Sequence, residues 1–237
     1  MQKASFGKRI IAAIFDGILV SILAVGLAAL LTIILNTDKH ISYVENAYAK
    51  YGIELDITQE EYENLTDEKR EVFDNALEEA TYHYNMWMHL TLLTLTFSVL
   101  IAVVAVEFVV PLLLGNGQTI GKKVFGIALM HQEGIKINNI QLFARTVLGK
   151  FAIELMIPLY IITMIFFFNS IGIISIILMF TLFVAQIVCF FASRTNSPIH
   201  DLLAGTVAVD MASQKIFADR EALLEYIKAK HKDIAAN

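Results

Sequence analysis

Charge is what this sequence has least of. Asp, Glu, Lys and Arg make up 17% of its 237 residues, against about a quarter in soluble domains. Most of those charges fall outside a few long apolar runs, which excludes an ordinary water-soluble domain. Cysteine is nearly absent. The single Cys189 lies within an apolar run, so an internal disulfide is excluded and the residue reads as a small core hydrophobe. A phosphate loop is missing too. GNGQTIGKKVFGI, residues 115–127, has the glycines and lysines of one, but Asn116 stands where a glycine is required five residues before Gly121. Lys122 is followed by Lys123 instead of Ser or Thr. No nucleotide site is expected, and no nucleic-acid partner. The residues of an intramembrane hydrolase are lacking as well: no Ser–His pair falls at membrane depth, and Asp16 and Asp201 lie at different depths. His83 and His89 are six apart, off the i, i+4 spacing of zinc-binding helices. Neither an enzyme nor a metal site is expected, and the two histidines read as interface residues.

What is present is apolar length. Hydrophobic residues make up 57% of the chain, and a membrane helix needs about 20 of them in a row. Four segments qualify: 1–35 (with the span from about 10), 88–114, 151–168 and 171–193, the last pair joined by a turn at Asn169, Ser170 and Gly172. The basic, then apolar start resembles a signal peptide, but its apolar part runs to Leu35, too long for a cleaved leader. It reads as a retained first span. The expected fold is therefore all-α and integral to the membrane, with four transmembrane helices.

Orientation follows from Lys and Arg. Fourteen of them lie in the N-terminal segment, in 115–150 and in 194–237. The 36–87 segment holds four, against thirteen acidic residues. Both termini and 115–150 are expected in the cytoplasm, and 36–87 outside, in a multi-pass protein of the cell membrane. Tyr82, Tyr84 and Trp87 fall where an outer aromatic belt belongs. Within 36–87, Thr58 and Glu61 fit a capping box. Thr66 opens a helix with Phe73, Leu77, Ala80 and Tyr84 at helical spacing, expected to continue into the second span. Residues 124–139 read as a short cytoplasmic hairpin turning at Glu133–Gly134 or as an interfacial element, and IQLFARTVLGK as a helix entering the third span. In the tail, Ile216, Leu223, Ile227 and Ile234 form one stripe of an amphipathic helix.

Three carboxylates lie in the wrong solvent. Asp16, Glu107 and Glu154 fall inside spans, where a charge costs about 2.5–3.5 kcal/mol on insertion scales and needs a partner. At about 1.5 Å per residue, Asp16 lies roughly 10 Å deeper than Arg9, on the same helix face. Glu107 lies about 12 Å in from the end of its span, and Glu154 about 6 Å beyond Lys150. All three fall in the inner half of the membrane, beside Arg9, Arg145, Lys150 and Arg194. EFVVP at 107–111 and ELMIP at 154–158 repeat a pattern. Each proline removes the donor for the carbonyl four residues earlier, that of Glu107 or Glu154. Two readings stay open: an oxygen-rich site for a cation or proton, or a fixed set of ion pairs. Toward the outer side the spans carry no Asp, Glu, Lys or Arg, so transport by four helices calls for a homo-oligomer.

GKRIIAAIFD at the start, GQTIGKKVFGIALM and LFARTVLGK in the middle, and RTNSPIHDLLAGTVAVD near the end together resemble the RDD family of prokaryotic membrane proteins. The family is named for one Arg and two Asp, which match Arg9, Asp16 and Asp201 here. The resemblance covers 6–35 and about 100–210, and leaves 36–87 as an insertion. It implies a helical membrane domain, with cation–proton exchange or accessory roles proposed for the family and no enzyme activity. It recasts the glycines of 115–127 as tight turns or close approaches, and Lys122 and Lys123 as flanks of the second span facing headgroups. Ser197 or Asp201 is expected to cap a short helix. His200 is a candidate for titration near neutral pH, and Asp201 pairs with Arg9 or Arg194. Two functions remain. One is a monovalent cation/proton transporter or exchanger, moving Na+ or H+ and needing no cofactor. The other is a non-catalytic adaptor or inhibitor that binds a membrane-protein partner through 36–87.

Overall fold

A computed structural model describes residues 2–51, 58–169 and 171–235. Ser170 of the expected turn and part of the 36–87 segment lie outside the described residues. The chain forms two compact units, Met1–Leu23 with Val99–Asn237, and Ala24–Ser98.

The first span is α1, Phe6–Leu35. After α2, Asp38–Tyr51, and α3, Gln59–Glu63, comes α4, Asp67–Val104, which carries the 36–87 segment into the second span without a break. A π-helical turn, Ala105–Val109, then leads to α5, Val110–Leu114. The third long helix is likewise composite: α7, Asn139–Phe143, a π-helical stretch Ala144–Leu155, and α8, Met156–Phe168. The fourth is α9, Ile173–Ala192. These four helical runs are long and apolar enough to cross a membrane.

The π segments stand just before Pro111 and Pro158. Proline cannot donate, so the ladder slips by one residue ahead of it: the Val110 N–H reaches the Ala105 carbonyl, and the Met156 N–H that of Phe151. The repeated Glu–Pro pattern is thus a repeated distortion, and each distorted turn carries a carboxylate, Glu107 or Glu154.

The fold is mostly helical, as the all-α membrane expectation has it, with one small addition: Ile127–His131 (β1) pairs antiparallel with Thr206–Asp210 (β2), from Ile127 opposite Asp210 to His131 opposite Thr206. The expected local hairpin shrinks to one bridge, Met130 with Lys136, around a turn in which Gly134 takes a φ of 89°. IALM and VAV are uninterrupted apolar runs because both faces of this ribbon are enclosed, which an alternating pattern would not survive. Ile127, Leu129, Val207 and Val209 are 1% exposed or less. The ribbon is extended by Lys3, which bridges Val209. Short helices flank it: α6, Ile120–Val124, before β1, and α10, Ile199–Ala204, before β2.

The tail also departs from its pattern. α11 spans Arg220–Ala235, so Ile216 precedes it and packs under the ribbon against Ala128, Met130, Val207 and Val209. Leu223 and Ile227 are on the helix, and the side chain of Ile234 lies outside the described residues.

Within Ala24–Ser98, α2 runs antiparallel to the first part of α4. Ile41, Val44 and Ala47 meet Ala80, and His40 Nδ1 lies 3.3 Å from His83 Nδ1. His83 therefore has a specific partner, beyond an interface role. Ala76 and Ala80 are the buried stripe of α4, whereas Leu77 and Tyr84 of the expected stripe are 42% and 37% exposed. Small residues allow the close helix pairing. The capping box at Thr58 and Glu61 is formed.

Candidate functional site

The site begins on α1. Arg9, Ala12 and Asp16 share one face at i, i+3 and i+7, and Ala12 and Asp16 are each 1% exposed. The small Ala12 lets α6 approach. Gly121 packs so tightly there that a Cβ would stand 2.5 Å from the Ala12 carbonyl oxygen and 2.9 Å from Asp16 Oδ1. That approach delivers the Gly121 N–H to Asp16 Oδ1 at 2.8 Å, and the Thr119 hydroxyl to Oδ2 at 2.5 Å. Thr119 also caps α6 by accepting from the Lys122 N–H. GQTIG thus builds a clasp for a carboxylate, with the anion held by the first turn of a helix.

Lys122 corrects a second expectation. It does not face headgroups: it is 8% exposed, and its ammonium lies 3.4 Å from Glu107 Oε2 and 3.3 Å from Thr119 Oγ1. Lys123, its neighbour, is exposed. Adjacent residues on a helix point about 100° apart, so one lysine of the doublet is buried while the other stays exposed. Burial, and the nearby Arg145 and Lys150, bring Lys122 down to about 8 from its usual range, although Glu107 opposes them.

Glu107 collects three cations: Lys122, Lys150 in direct contact, and Arg145 Nη1 at 3.7 Å from Oε2. The freed carbonyl of Glu107 accepts from the Thr146 hydroxyl at 2.9 Å. It holds a helix contact and does not join an all-oxygen cage.

Arg145 is the hub. Its Nε donates to Asp201 Oδ1 at 2.7 Å, and its Nη2 lies 3.0 Å from His200 Nε2. A guanidinium only donates, so Nε2 accepts and the imidazole proton sits on Nδ1. Nδ1 faces Glu154, 2.9 Å from either carboxylate oxygen. Burial, then Arg145, push His200 below its usual range, which keeps it neutral in this arrangement. Close packing fixes the geometry, because a Cβ on Gly149 would stand 2.6 Å from that of His200.

Asp201 lies on α10, where Pro198 is the cap residue and makes no side-chain bond. Neither Ser197 nor Asp201 caps the helix. Asp201 instead receives Arg145, the Thr206 hydroxyl at 2.9 Å, and Arg9 Nη2 at 3.6 Å. Burial alone would raise its carboxyl. The Arg145 and His200 interactions and the hydrogen bonds from Arg145 and Thr206 together outweigh that and hold it well below the usual carboxylate range. Arg9 also donates to the Asn196 carbonyl at 2.7 Å. Arg9 and Asp16 therefore share a helix face but serve different partners.

The structure gathers Arg9, Asp16, Glu107, Arg145, Lys150, Glu154, His200 and Asp201 in one unit. Arg194 does not join them: it is exposed, and its backbone carbonyl accepts from Lys3. Sequence reasoning missed the buried role of Lys122 and the hydroxyls of Thr119, Thr146 and Thr206. The Lys122–Lys123 doublet was the one usable signal. With His200 neutral, Arg9, Lys122, Arg145 and Lys150 balance Asp16, Glu107, Glu154 and Asp201. No group of three or more metal-ligating side chains occurs among the described residues.

Compared with known proteins, the chain matches the model of the RDD family over residues 3–205, a range that contains Arg9, Asp16 and Asp201. Neither a curated protein nor a solved structure matches it.

Proposed function

The chain belongs to the RDD family, and on that premise we propose that this membrane protein exchanges monovalent cations for protons at the Glu107–Lys122 pair. The observation that carries the reading is the position of the Lys122 ammonium. It sits between the Glu107 carboxylate and the Thr119 hydroxyl that also holds Asp16. An ammonium bonded to carboxylate and hydroxyl oxygens occupies the place a sodium or potassium ion would take. When Lys122 gives up its proton, the network loses one positive charge, and a bound cation restores it. One proton out for one cation in keeps the buried site neutral, which matters where an uncompensated charge is expensive. A lysine near pH 8 titrates where such a cycle is useful. The open apolar flanks of α1 and α9 (Ile22, Val25, Phe180 and Phe191 are all at least 66% exposed) suit lipid and a second copy of the chain. The basic segments support a cell-membrane topology with both termini and 115–150 on the cytoplasmic side.

A second reading, a non-catalytic adaptor or inhibitor acting through 36–87, is favoured by a different observation. Each acid of the network already has a protein partner, as a fixed scaffold would require.

Proton flux by the purified chain in proteoliposomes decides between them. Exchange predicts proton movement that depends on Na+ or K+ and rises as pH passes through about 8. Lys122→Arg, which keeps its charge at every accessible pH, should remove both the flux and the pH dependence while the protein stays folded. Wild-type vesicles that move no protons with Li+, Na+ or K+ would end the exchange reading. Loss of a co-purifying partner on deletion of 40–80 would then support the adaptor.

A further inference from the structure

A cavity of about 180 Å³ lies beside the network. That is well below the roughly 300–1,000 Å³ of drug-sized or nucleotide-sized sites. Its polar lining is unbalanced: Arg9, Lys122, Arg145 and Lys150 against Asp16 and Asp201. Glu107 and Glu154, which neutralise the network as a whole, are not on its wall. Arg145 is 3% exposed, yet its Nη1 finds no hydrogen-bond partner among the described residues, its contact with Glu107 being a 3.7 Å ionic one. A buried N–H left without an acceptor costs on the order of 1–3 kcal/mol. Arg145 also lines the cavity, so an anionic group there adds to the charge that holds it.

The other wall is apolar and comes from Phe6, Ile10, Ala13 and Phe190. Phe6 and Ile10 are 58% and 40% exposed, so the cavity opens onto the outer face of α1. Ile14 and Ile18, at 58% and 53%, continue that face at i, i+4 spacing. A charged floor that continues into a lipid-facing stripe matches an amphiphile with a small anionic head. Basic pockets between membrane helices are suited to such headgroups.

We infer that this cavity binds the phosphate group of an anionic phospholipid, with the acyl chain lying along the Phe6–Ile10–Ile14–Ile18 stripe of α1. Arg9 supplies donors to the phosphate oxygens, and Arg145 and Lys150 supply charge. The inference goes beyond cation exchange and does not depend on it.

Native mass spectrometry and thermal unfolding of the full chain in neutral detergent test it, with dioleoyl phosphatidylglycerol, dioleoyl phosphatidylcholine and inorganic phosphate as probes. Phosphatidylglycerol should bind and raise the unfolding midpoint, while phosphatidylcholine, with the same tails, and inorganic phosphate, with no tail, should not. Lys150→Gln should weaken phosphatidylglycerol binding about fivefold, the effect of one basic residue at an anionic headgroup. Because Lys150 also pairs with Glu107, Ile10→Glu provides a variant that touches no ion pair. It sets a carboxylate at the cavity mouth and should weaken binding at least as much, while the exposed Lys123→Gln should change nothing. Equal binding of both lipids, an equal effect of inorganic phosphate, or a loss at Lys123→Gln matching that at Ile10→Glu would each overturn the inference.

Discussion

Two ion pairs of nearly equal length sit in the two units of this molecule. In Ala24–Ser98, Lys50 meets Glu79 at 2.8 Å with side chains 59% and 41% exposed. In the other unit, Arg145 meets Asp201 at 2.7 Å with side chains 3% and 1% exposed. Distance does not separate them, but solvent does. The exposed pair is screened and contributes about 0–1 kcal/mol. In the enclosed pair each charge has given up its water, and the removal of either partner strands the other, at about 3–5 kcal/mol. The 36–87 segment has more than three times as many acids as the network, yet those among the described residues decorate helix surfaces. Burial, rather than the number of charges, marks the site.

The sharpest way to break this comparison is Arg145→Met. It strands Asp201 and removes one counter-ion of Glu107, so a loss of about 3–5 kcal/mol is expected, read as the unfolding midpoint in detergent. Lys50→Met in the other unit should leave that midpoint nearly unchanged. Equal effects would erase the distinction. Gly149→Val comes next, at about 1–3 kcal/mol for overpacking, because its side chain would occupy the space of His200. The same variant should also release the His200–Glu154 contact, visible in the imidazole NMR shifts.

Acid sharpens the contrast further. His200 and Asp201 both have lowered values in the fold. For the histidine, the unfolded chain binds more protons once pH drops below its ordinary 6.5, so stability falls from there downward. For the aspartate, the contribution is complete above its ordinary 3.8 and is lost as pH falls below that value. A melting series from pH 8 to 3 should therefore show loss beginning near 6.5, and His200→Gln should delay its onset. The smallest effect is expected from Thr58→Ala, which removes one cap of the short α3. It should speed amide exchange locally and leave the network untouched.

Much of this was legible in the sequence. Four apolar runs gave four long helices because length and apolarity are local properties. Asp16, Glu107 and Glu154 stood out because a charge within such a run demands a partner, and the structure supplies one for each. The RDD pattern pointed to Arg9 and Asp201, and they meet. The β ribbon was not legible, since its strands are 79 residues apart and a short, doubly enclosed strand carries no alternation to read. Nor was the central place of Arg145. Its sequence neighbours suggest an interfacial cation, and only α10 packed against its helix brings Asp201 and His200 to it.

The chain by itself determined that charges would be few, that some would be trapped among apolar side chains, and that each would need compensation. Only the tertiary structure decided which base compensates which acid, placing Lys122 inward and Arg194 outward and leaving Arg145 Nη1 without a hydrogen-bond acceptor among the described residues. The reason is physical: the cost of enclosing a charge is a property of the residue and its flanks, whereas the relief of that cost depends on atoms brought within about 4 Å from distant parts of the chain.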